Sequence, residues 1–257
     1  MNWPSYRDRY LPAFTRHQLS ELAADERAFV VLPTGAVEQH GPQLPVGVDA
    51  LMGQALLDRA LLKLPADAPV YVAPPVQAGK SNEHDGFPGN LIISRETLRR
   101  MILCAGRQIA AWGFGRLGIL NTHGGNISVV KSALRELHHT VGLETRVLGF
   151  PYTKEISERE AVFGIHANEV ESSLMYALTP AMVDPEAATC CWSGSPDDPR
   201  SLQSEFAPAT YAWKTLDISP SGTVGDATAA TREKGERWLE RAADSLAATL
   251  AAEVGEG

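Results

Sequence analysis

The sequence predicts an α/β fold: a mostly parallel sheet covered by helices on both faces, a three-layer α/β/α sandwich in a single domain. Three observations carry this expectation. Short apolar runs alternate with stretches of helical periodicity. The 257 residues suit one large domain better than two small ones. No internal repeat, linker or low-complexity tract divides them.

The elements follow in order. Ala28-Phe-Val-Val-Leu32 reads as a first, buried strand. From Asp49 to Leu62 the apolar residues Leu51, Ala55, Leu56, Ala60 and Leu61 fall on one helical face. Val70-Tyr-Val-Ala-Pro-Pro-Val76 is a second strand, stopped by its prolines. A helix is expected from Arg95 to Trp112, a third strand over Arg116–Leu120 and a helix from Asn126 to His139. Thr145–Phe150 reads as a fourth strand and Ala167–Leu178 as a short helix. The Pro-, Ser- and Asp-rich segment from Pro180 to Ser221 lacks periodicity and reads as loops and edge structure. Thr228 to Val254 closes the chain as a long amphipathic helix.

Composition removes several function classes. The hydrophobic share of 44% and charged share of 21% are ordinary for a soluble enzyme. A formal net charge of −8 leaves no basic face for nucleic acid or an anionic membrane surface. The three cysteines, Cys104, Cys190 and Cys191, make no disulfide framework and fit a reducing cytoplasm. Cys104, in an apolar helical stretch, is expected in the core. The N-terminus, Met1-Asn-Trp-Pro-Ser-Tyr-Arg7, has no apolar signal region, and no run is long enough to span a bilayer. No G-x-G-x-x-G follows a strand and no G-x-x-x-x-G-K-[ST] occurs, which excludes the usual nucleotide loops.

Four polar stretches carry chemistry. The first is Thr34-Gly-Ala-Val-Glu38-Gln-His40-Gly-Pro-Gln-Leu-Pro-Val-Gly-Val-Asp49, directly after the first strand. Glu38 and His40, two apart in extended backbone, project to one side. The Gly and Pro residues fix a path that returns Asp49 towards them. Carboxylate oxygens with neutral imidazole suit a divalent zinc, manganese or iron ion. The second is Asn121-Thr-His123-Gly124-Gly125-Asn126, after the third strand. It reads either as a further ligand, His123, with backbone N–H groups of the glycines facing the site, or as a capped helix start with an incidental His.

The third stretch is Gly164-Ile-His166-Ala-Asn-Glu169-Val-Glu171-Ser-Ser173. In a helix opening here, His166, Glu169 and Ser173 share one face and Glu171 lies on the next. Glu169 also fits an acidic first turn complementing the helix dipole. His166 beside carboxylates suits proton transfer near neutral pH. The fourth is Gly79-Lys-Ser81-Asn-Glu83-His84-Asp-Gly-Phe87-Pro-Gly89, which reads equally as a pocket-lining loop or a surface turn. His17, His138 and His139 read as structural or solvated.

Taken together, these stretches resemble the creatininase (creatinine amidohydrolase) family. The matching pieces are Gly-Ala-Val-Glu-Gln-His-Gly-Pro-Gln-Leu-Pro…Asp, Ser-x-Glu-His-x-x-Phe-Pro-Gly, Asn-x-His-Gly-Gly-Asn and His-Ala-x-Glu-x-Glu-x-Ser, with Ser221-Gly-Thr-Val-Gly-Asp226 and Thr231-Arg-Glu-Lys-Gly235 near the C-terminus. They occur in order over nearly the whole chain. The resemblance implies two divalent metal ions per chain (Zn, Mn or Fe), a metal-activated water and a homo-oligomer, a hexamer. It implies Glu38, His40, Asp49 and His123 as ligands, with Asp49 bridging, and Glu171 as the fifth. It makes His166 the residue that contacts substrate or moves protons, with Glu169 beside it. Ser81, His84, Gly124 and Gly125 fall on the substrate side.

The chain also departs from the namesake. Creatininases resemble His-Tyr-Glu-Asn where this chain has His123-Gly-Gly-Asn126, so Gly125 cannot ligate and the fifth ligand moves to Glu171. The stretch before His166, Glu158-Arg-Glu-Ala-Val-Phe163-Gly-Ile165, lacks the tryptophans that close over a small cyclic substrate, and Asn90 stands where Thr is usual. Both departures argue against creatinine itself. The expected reaction is hydrolysis of a C–N bond in a small amide, cyclic amide or formamide. The alternatives on the same fold are hydrolytic opening of an oxidised sugar- or inositol-like ring and peptidase trimming of a cofactor precursor. From a different class, the rival is a metal-binding protein without turnover.

Overall fold

The computed structural model describes residues 4–152, 155–195, 198, 201 and 212–255. Four parallel strands form the central sheet: β1 (Phe29–Thr34), β2 (Val70–Val72), β3 (Arg116–Asn121) and β4 (Glu144–Leu148), in the order β2-β1-β3-β4. Phe29 pairs with Val70 on one side and Arg116 on the other, and β3 continues the register to Glu144. The eight helices of the described residues are α1 (Arg16–Leu22), α2 (Val48–Leu62), α3 (Arg95–Ala111), α4 (Ile127–Val141), α5 (Glu158–Phe163), α6 (Glu169–Leu178), α7 (Thr215–Ile218) and α8 (Arg232–Val254). A two-residue ribbon pairs β5 (Cys190–Cys191) antiparallel with β6 (Gly225–Asp226).

The pleat of the strands divides the core into two layers. Val30, Leu32, Leu117 and Ile119 pack with Leu98 and Ile102 of α3 and Val130, Leu134 and Leu137 of α4. Phe29, Val31 and Leu120 point the other way, onto Leu56, Leu57 and Ala60 of α2 and Leu246 and Leu250 of α8. Each fully buried Leu or Ile stabilises the fold by roughly 1.5–3 kcal/mol, so both helical layers are firmly held. A third cluster joins α2, α6 and α8 through Val48, Met52, Leu174, Met175 and Trp238. The predicted sandwich is therefore the observed architecture.

Connectivity places the functional end. The chain leaves β1 through α2 on one face, then leaves β2 through α3 on the other. The connections after β1 and β3 diverge from adjacent strands, and this opens a crevice at their carboxyl ends.

The element boundaries differ from expectation in instructive ways. β2 ends at Val72, because Pro74 and Pro75 have no N–H to donate, and only Val76 returns to bridge Thr34. α8 starts at Arg232, where the Thr231 hydroxyl caps the Lys234 N–H. α6 starts at Glu169 rather than Ala167, since Ala167 takes a left-handed φ of 49° and Asn168 is the cap. Cys104 is exposed, not in the core; it lies off the buried stripe of α3 formed by Leu98, Ile102, Leu103, Gly106 and Ile109. The segment from Pro180 to Ser221 holds β5 and α7. Residues 196–197, 199–200 and 202–211 of that segment lie outside the described residues, as do the first three of the N-terminal stretch.

Candidate metal centre

At the mouth of the crevice, side chains from five segments converge. The loop after β1 brings Glu38 and His40, and the first turn of α2 brings Asp49. His123 follows β3, His84 ends the short turn Asn82–His84, and His166 and Glu171 come from the entry to α6. Glu38, His40, Asp49, His84, His123 and His166 are all buried, and Glu171 is half-buried. Three groupings have ligand atoms close enough to share one ion: Glu38, His40 and Asp49; His40, His166 and Glu171; and Glu38, His84 and His166. His123 joins them through Nδ1, 3.2 Å from Glu38 Oε1 and 3.3 Å from Asp49 Oδ2.

Seven ionisable groups in so little water perturb one another strongly. Burial opposes charging of His40, but the Asp49 carboxylate beside it, with Glu171 and Glu38 nearby, outweighs burial and raises it to about 9. His123 likewise resists burial and is held well above its usual value by Asp49 and Glu38. Burial would raise Asp49 and Glu38, yet His123, with His40 in the case of Asp49, holds both below the ordinary carboxylate range. Burial dominates at Glu171 and pushes it up to about 7. Burial, with the charge of His40 nearby, drives His84 down to about 3 and His166 well below its usual value. The protons held at His40 and His123 balance an anionic nest, which is the charge that divalent cations would bring.

The donor set fits such cations on independent grounds. His40 Nε2 and Asp49 Oδ2 are buried without a hydrogen-bond partner, and buried polar atoms left in that state are rare. His40 Nδ1 donates to the Glu38 carbonyl at 3.1 Å and His123 Nε2 donates to the Lys80 carbonyl at 3.0 Å. Each ring is thereby oriented with its other nitrogen aimed at the carboxylates, the outer-shell arrangement of metal-binding histidines. Ser81 is fully buried and its hydroxyl donates to Glu38 Oε2.

A cleft of about 470 Å³ opens onto this cluster. Lys80, Asn82, Glu83, Gly124, Gly125, Ile165 and Trp213 complete its wall around the histidines and carboxylates. A Cβ on Gly125 would overlap Glu83 Oε1, the Lys80 carbonyl and His123 Nε2, so no side chain fits there. Glu83 Oε2 in turn accepts from Lys80 Nζ at 2.8 Å.

Most of the sequence-predicted residues meet here, with two corrections. Glu169 does not reach the cleft: two residues before Glu171, it points across α6 and pairs with Lys234 Nζ at 2.6 Å. Its expected shared face with His166 fails because His166 precedes the helix, beyond the left-handed Ala167. Ser81, expected on the substrate side, lies behind Glu38 instead of lining the cleft. Lys80 and Glu83 lay unassigned within the fourth polar stretch. Trp213 and Thr215 come from an aperiodic segment that carried no signal in the sequence. Thr215 Oγ1 lies 2.8 Å from His84 Nδ1 and 3.1 Å from the Glu83 carbonyl, with one proton to give to either.

Comparison with known proteins agrees with this geometry. The sequence profile described as "Creatininase: Creatinine amidohydrolase" matches residues 13–250. A mycofactocin precursor peptide peptidase of Mycolicibacterium smegmatis is 31% identical over 210 residues, covering 81% of this chain and 78% of that protein. A 3-dehydro-scyllo-inosose hydrolase of Thermotoga maritima is 24% identical over 258 residues, covering 92% of this chain and 81% of that protein. A solved manganese creatininase superposes with a TM-score of 0.74 at 25% identity, covering 96% of this chain and 99% of that one, and a mutant creatininase of Zn–Zn type gives the same TM-score. The chain belongs to the creatininase family and is a metal-dependent hydrolase.

Proposed function

We propose that this hydrolase cleaves a C–N bond of a small amide, cyclic amide or formamide, and that creatinine itself is not the substrate. The observation that carries the reading is the convergence of Glu38, His40, Asp49, His123 and Glu171 at the floor of one cleft, with His40 Nε2 and Asp49 Oδ2 unpartnered. These five residues would hold two divalent ions, zinc, manganese or iron. Asp49 suits a shared ligand, because Oδ1 faces His40 Nε2 at 3.6 Å while Oδ2 faces His123 Nδ1 at 3.3 Å. Bound there, the ions would supply an activated water near neutral pH and polarise the scissile carbonyl.

The chain's own residues do the rest. His166 donates from Nε2 to the Gln39 carbonyl at 2.6 Å, so its Nδ1 lone pair is turned towards the cluster. Burial holds this imidazole neutral at pH 7. It can take a proton at Nδ1 as the tetrahedral oxyanion forms and return it to the leaving nitrogen. The backbone N–H groups of Gly124 and Gly125, at the cleft wall, are available to the oxyanion. Glu83, Lys80 and Trp213 give the wall charge of both signs and one aromatic face, groups suited to a polar amide.

A second reading is peptidase trimming of a cofactor precursor. It is favoured by the name of the M. smegmatis relative and by a cleft that opens past the exposed Asn82 and Ala212, with room for a longer chain. As a further part of the proposal, the protein works in the cytoplasm as a homo-oligomer, the hexamer that the resemblance implies; light scattering on the purified protein checks the latter. No helix of the described residues is long and apolar enough to cross a membrane.

The test is elemental analysis combined with turnover. The purified protein is expected to carry two divalent ions per chain, and either to release ammonia or an amine from small open-chain amides or formamides or to open a cyclic amide to a product that carries both a new carboxylate and the freed amine. Full activity after exhaustive chelation would remove the metal-based reading. Release only from peptides would select the second.

A further inference from the structure

Four imidazoles meet in the cleft, and their outer nitrogens are not treated alike. His40, His123 and His166 each give an N–H to a backbone carbonyl, of Glu38, Lys80 and Gln39 respectively. A carbonyl can only accept, so in these rings the outer nitrogen carries a proton; the inner nitrogen offers a lone pair when the ring is neutral, as in His166, and in His40 and His123 only once a cation replaces the second proton that Asp49 and Glu38 hold there. His84 is the exception. Its Nδ1 lies 2.9 Å from Gln39 Nε2 and 2.8 Å from Thr215 Oγ1.

The orientation of the Gln39 amide is fixed on both ends. Its Oε1 accepts from the Gly41 backbone N–H at 2.9 Å, and its Nε2 donates to the Gly222 carbonyl at 3.1 Å. Flipping the amide would set Nε2 against an N–H and Oε1 against a carbonyl, two like contacts in a buried place. Gly222 has φ of 88°, and a Cβ there would overlap Gln39 Oε1, so the turn makes room for this amide. The second N–H of Nε2 therefore points at His84 Nδ1, which must accept it. The Thr215 hydroxyl has one proton and two acceptors in reach, the Glu83 carbonyl at 3.1 Å and His84 Nδ1 at 2.8 Å; with Nδ1 as an acceptor that proton turns to Nδ1 and leaves the carbonyl. With Nδ1 as the acceptor, the neutral ring carries its proton on Nε2. That atom faces the cluster, 3.4 Å from Glu38 Oε1.

We propose that Gln39 is a positioning residue that makes His84 the proton-donating imidazole of this site, while its backbone carbonyl turns the lone pair of His166 inward. One residue between two presumed ligands thus sets one ring to donate and its neighbour to accept. The two rings lie with centroids 4.0 Å apart, so both address the same small volume. His84 is assigned to hydrogen-bond the carbonyl oxygen of the substrate and not to bind metal, because its inner nitrogen has no lone pair to offer. The catalytic part of this assignment rests on the amide-hydrolase reading; the protonation pattern does not.

Long-range proton–nitrogen NMR correlation on histidine-labelled protein, metal-free and zinc-loaded, tests it. Peaks are assigned with His84→Gln and His166→Gln. In the parent protein, His84 should show a protonated Nε2 and a bare Nδ1. Gln39→Met should move His84 towards the Nδ1–H form and leave His166 unchanged, since the backbone carbonyl remains. Gln39→Glu, which keeps the volume but offers His84 Nδ1 an acceptor, should give the same reversal if the Met variant does not fold. Thr215→Val should keep the parent pattern, because Gln39 still donates. On any amide that the enzyme turns over, kcat of the Gln39 variants should fall roughly 10²-fold with KM little changed. A parent His84 protonated on Nδ1, or a His84 signature indifferent to both Gln39 variants, overturns the proposal. Failure of the amide panel with the expected spectra would count against the substrate class alone.

Discussion

Two short segments bring acidic groups to the same cluster, and the contrast between them shows what a spacing of two residues means. In the loop after β1, Glu38 and His40 reach one ion-sized volume. At the start of α6, Glu169 and Glu171 have the same spacing and part company: Glu171 lies within reach of His40 and His166, while Glu169 turns to Lys234. In extended backbone, residues two apart share a side; in a helix they are rotated by roughly 200°. Identical spacing therefore gives convergence on one backbone and divergence on the other. What separates the cases is a single boundary, the left-handed Ala167 followed by the Asn168 cap, whose Oδ1 accepts from the Val170 and Glu171 N–H groups at 3.1 Å each.

The largest way to break the convergent side is Asp49→Ala. The residue faces His40 with one oxygen and His123 with the other. Its removal should lower metal content and activity by more than the about 10–100-fold expected for losing an outer partner. Metal analysis after gel filtration checks it, and full occupancy would show that Asp49 is not shared.

The next effect tests the divergence directly. Glu171→Gln should lower metal occupancy with modest loss of stability. Glu169→Gln should keep both ions but destabilise the fold by roughly 1–3 kcal/mol, because it leaves Lys234 partly buried without its carboxylate. Paired thermal melts and metal assays distinguish the two, and swapped outcomes would refute the helix phase described here. A smaller effect is expected from Ser81→Ala. It removes the hydroxyl that holds Glu38, and metal affinity should fall by about 10–100-fold with the cleft unchanged, as titration with a competing chelator would show.

The smallest effect should come from Ala167→Gly. Glycine relieves a left-handed residue of about 1 kcal/mol of strain but gives the unfolded chain more freedom. Denaturant unfolding is expected to shift by no more than about 1 kcal/mol in either direction. Ala167→Val, by contrast, puts a β-branched residue at positive φ in a fully buried place and should cost clearly more.

The same contrast explains how much was legible beforehand. Phe29–Thr34 and Arg116–Asn121 announced themselves as apolar runs, and the loops after them as dense polar motifs. Glu38, His40, Asp49 and His123 stand out as candidates because each sits just past a strand or in the helix turn that follows, and the structure brings the four side chains together. The segments around Ala167 and Thr215 were harder. Nothing in Ile165-His-Ala-Asn marks a non-glycine residue with positive φ, so the helix was started two residues early and Glu169 was turned to the wrong side. Cys104 was misplaced for a related reason: an apolar neighbourhood does not say which face of a helix a small side chain occupies. Gln39 carries no role in the sequence pattern, since an amide shows its value only once both of its ends have partners.

The closure of that amide has a consequence for how the protein is made. Gln39 is tied to Gly222, 183 positions away, and His84 to Thr215, 131 positions away. Val224 pairs with His166 across a further gap. During synthesis the strands β1 to β4 can pair as they emerge, although Leu246 and Leu250 of α8 complete one helical layer only later. The cleft cannot form this way. Until residues 213–222 emerge, the Gln39 amide lacks the Gly222 carbonyl that fixes it, His84 lacks Thr215, and the wall lacks Trp213. The order of the imidazoles is thus set by contacts 183 and 131 positions apart in the chain, and the first two-thirds of the sequence cannot build the cleft alone.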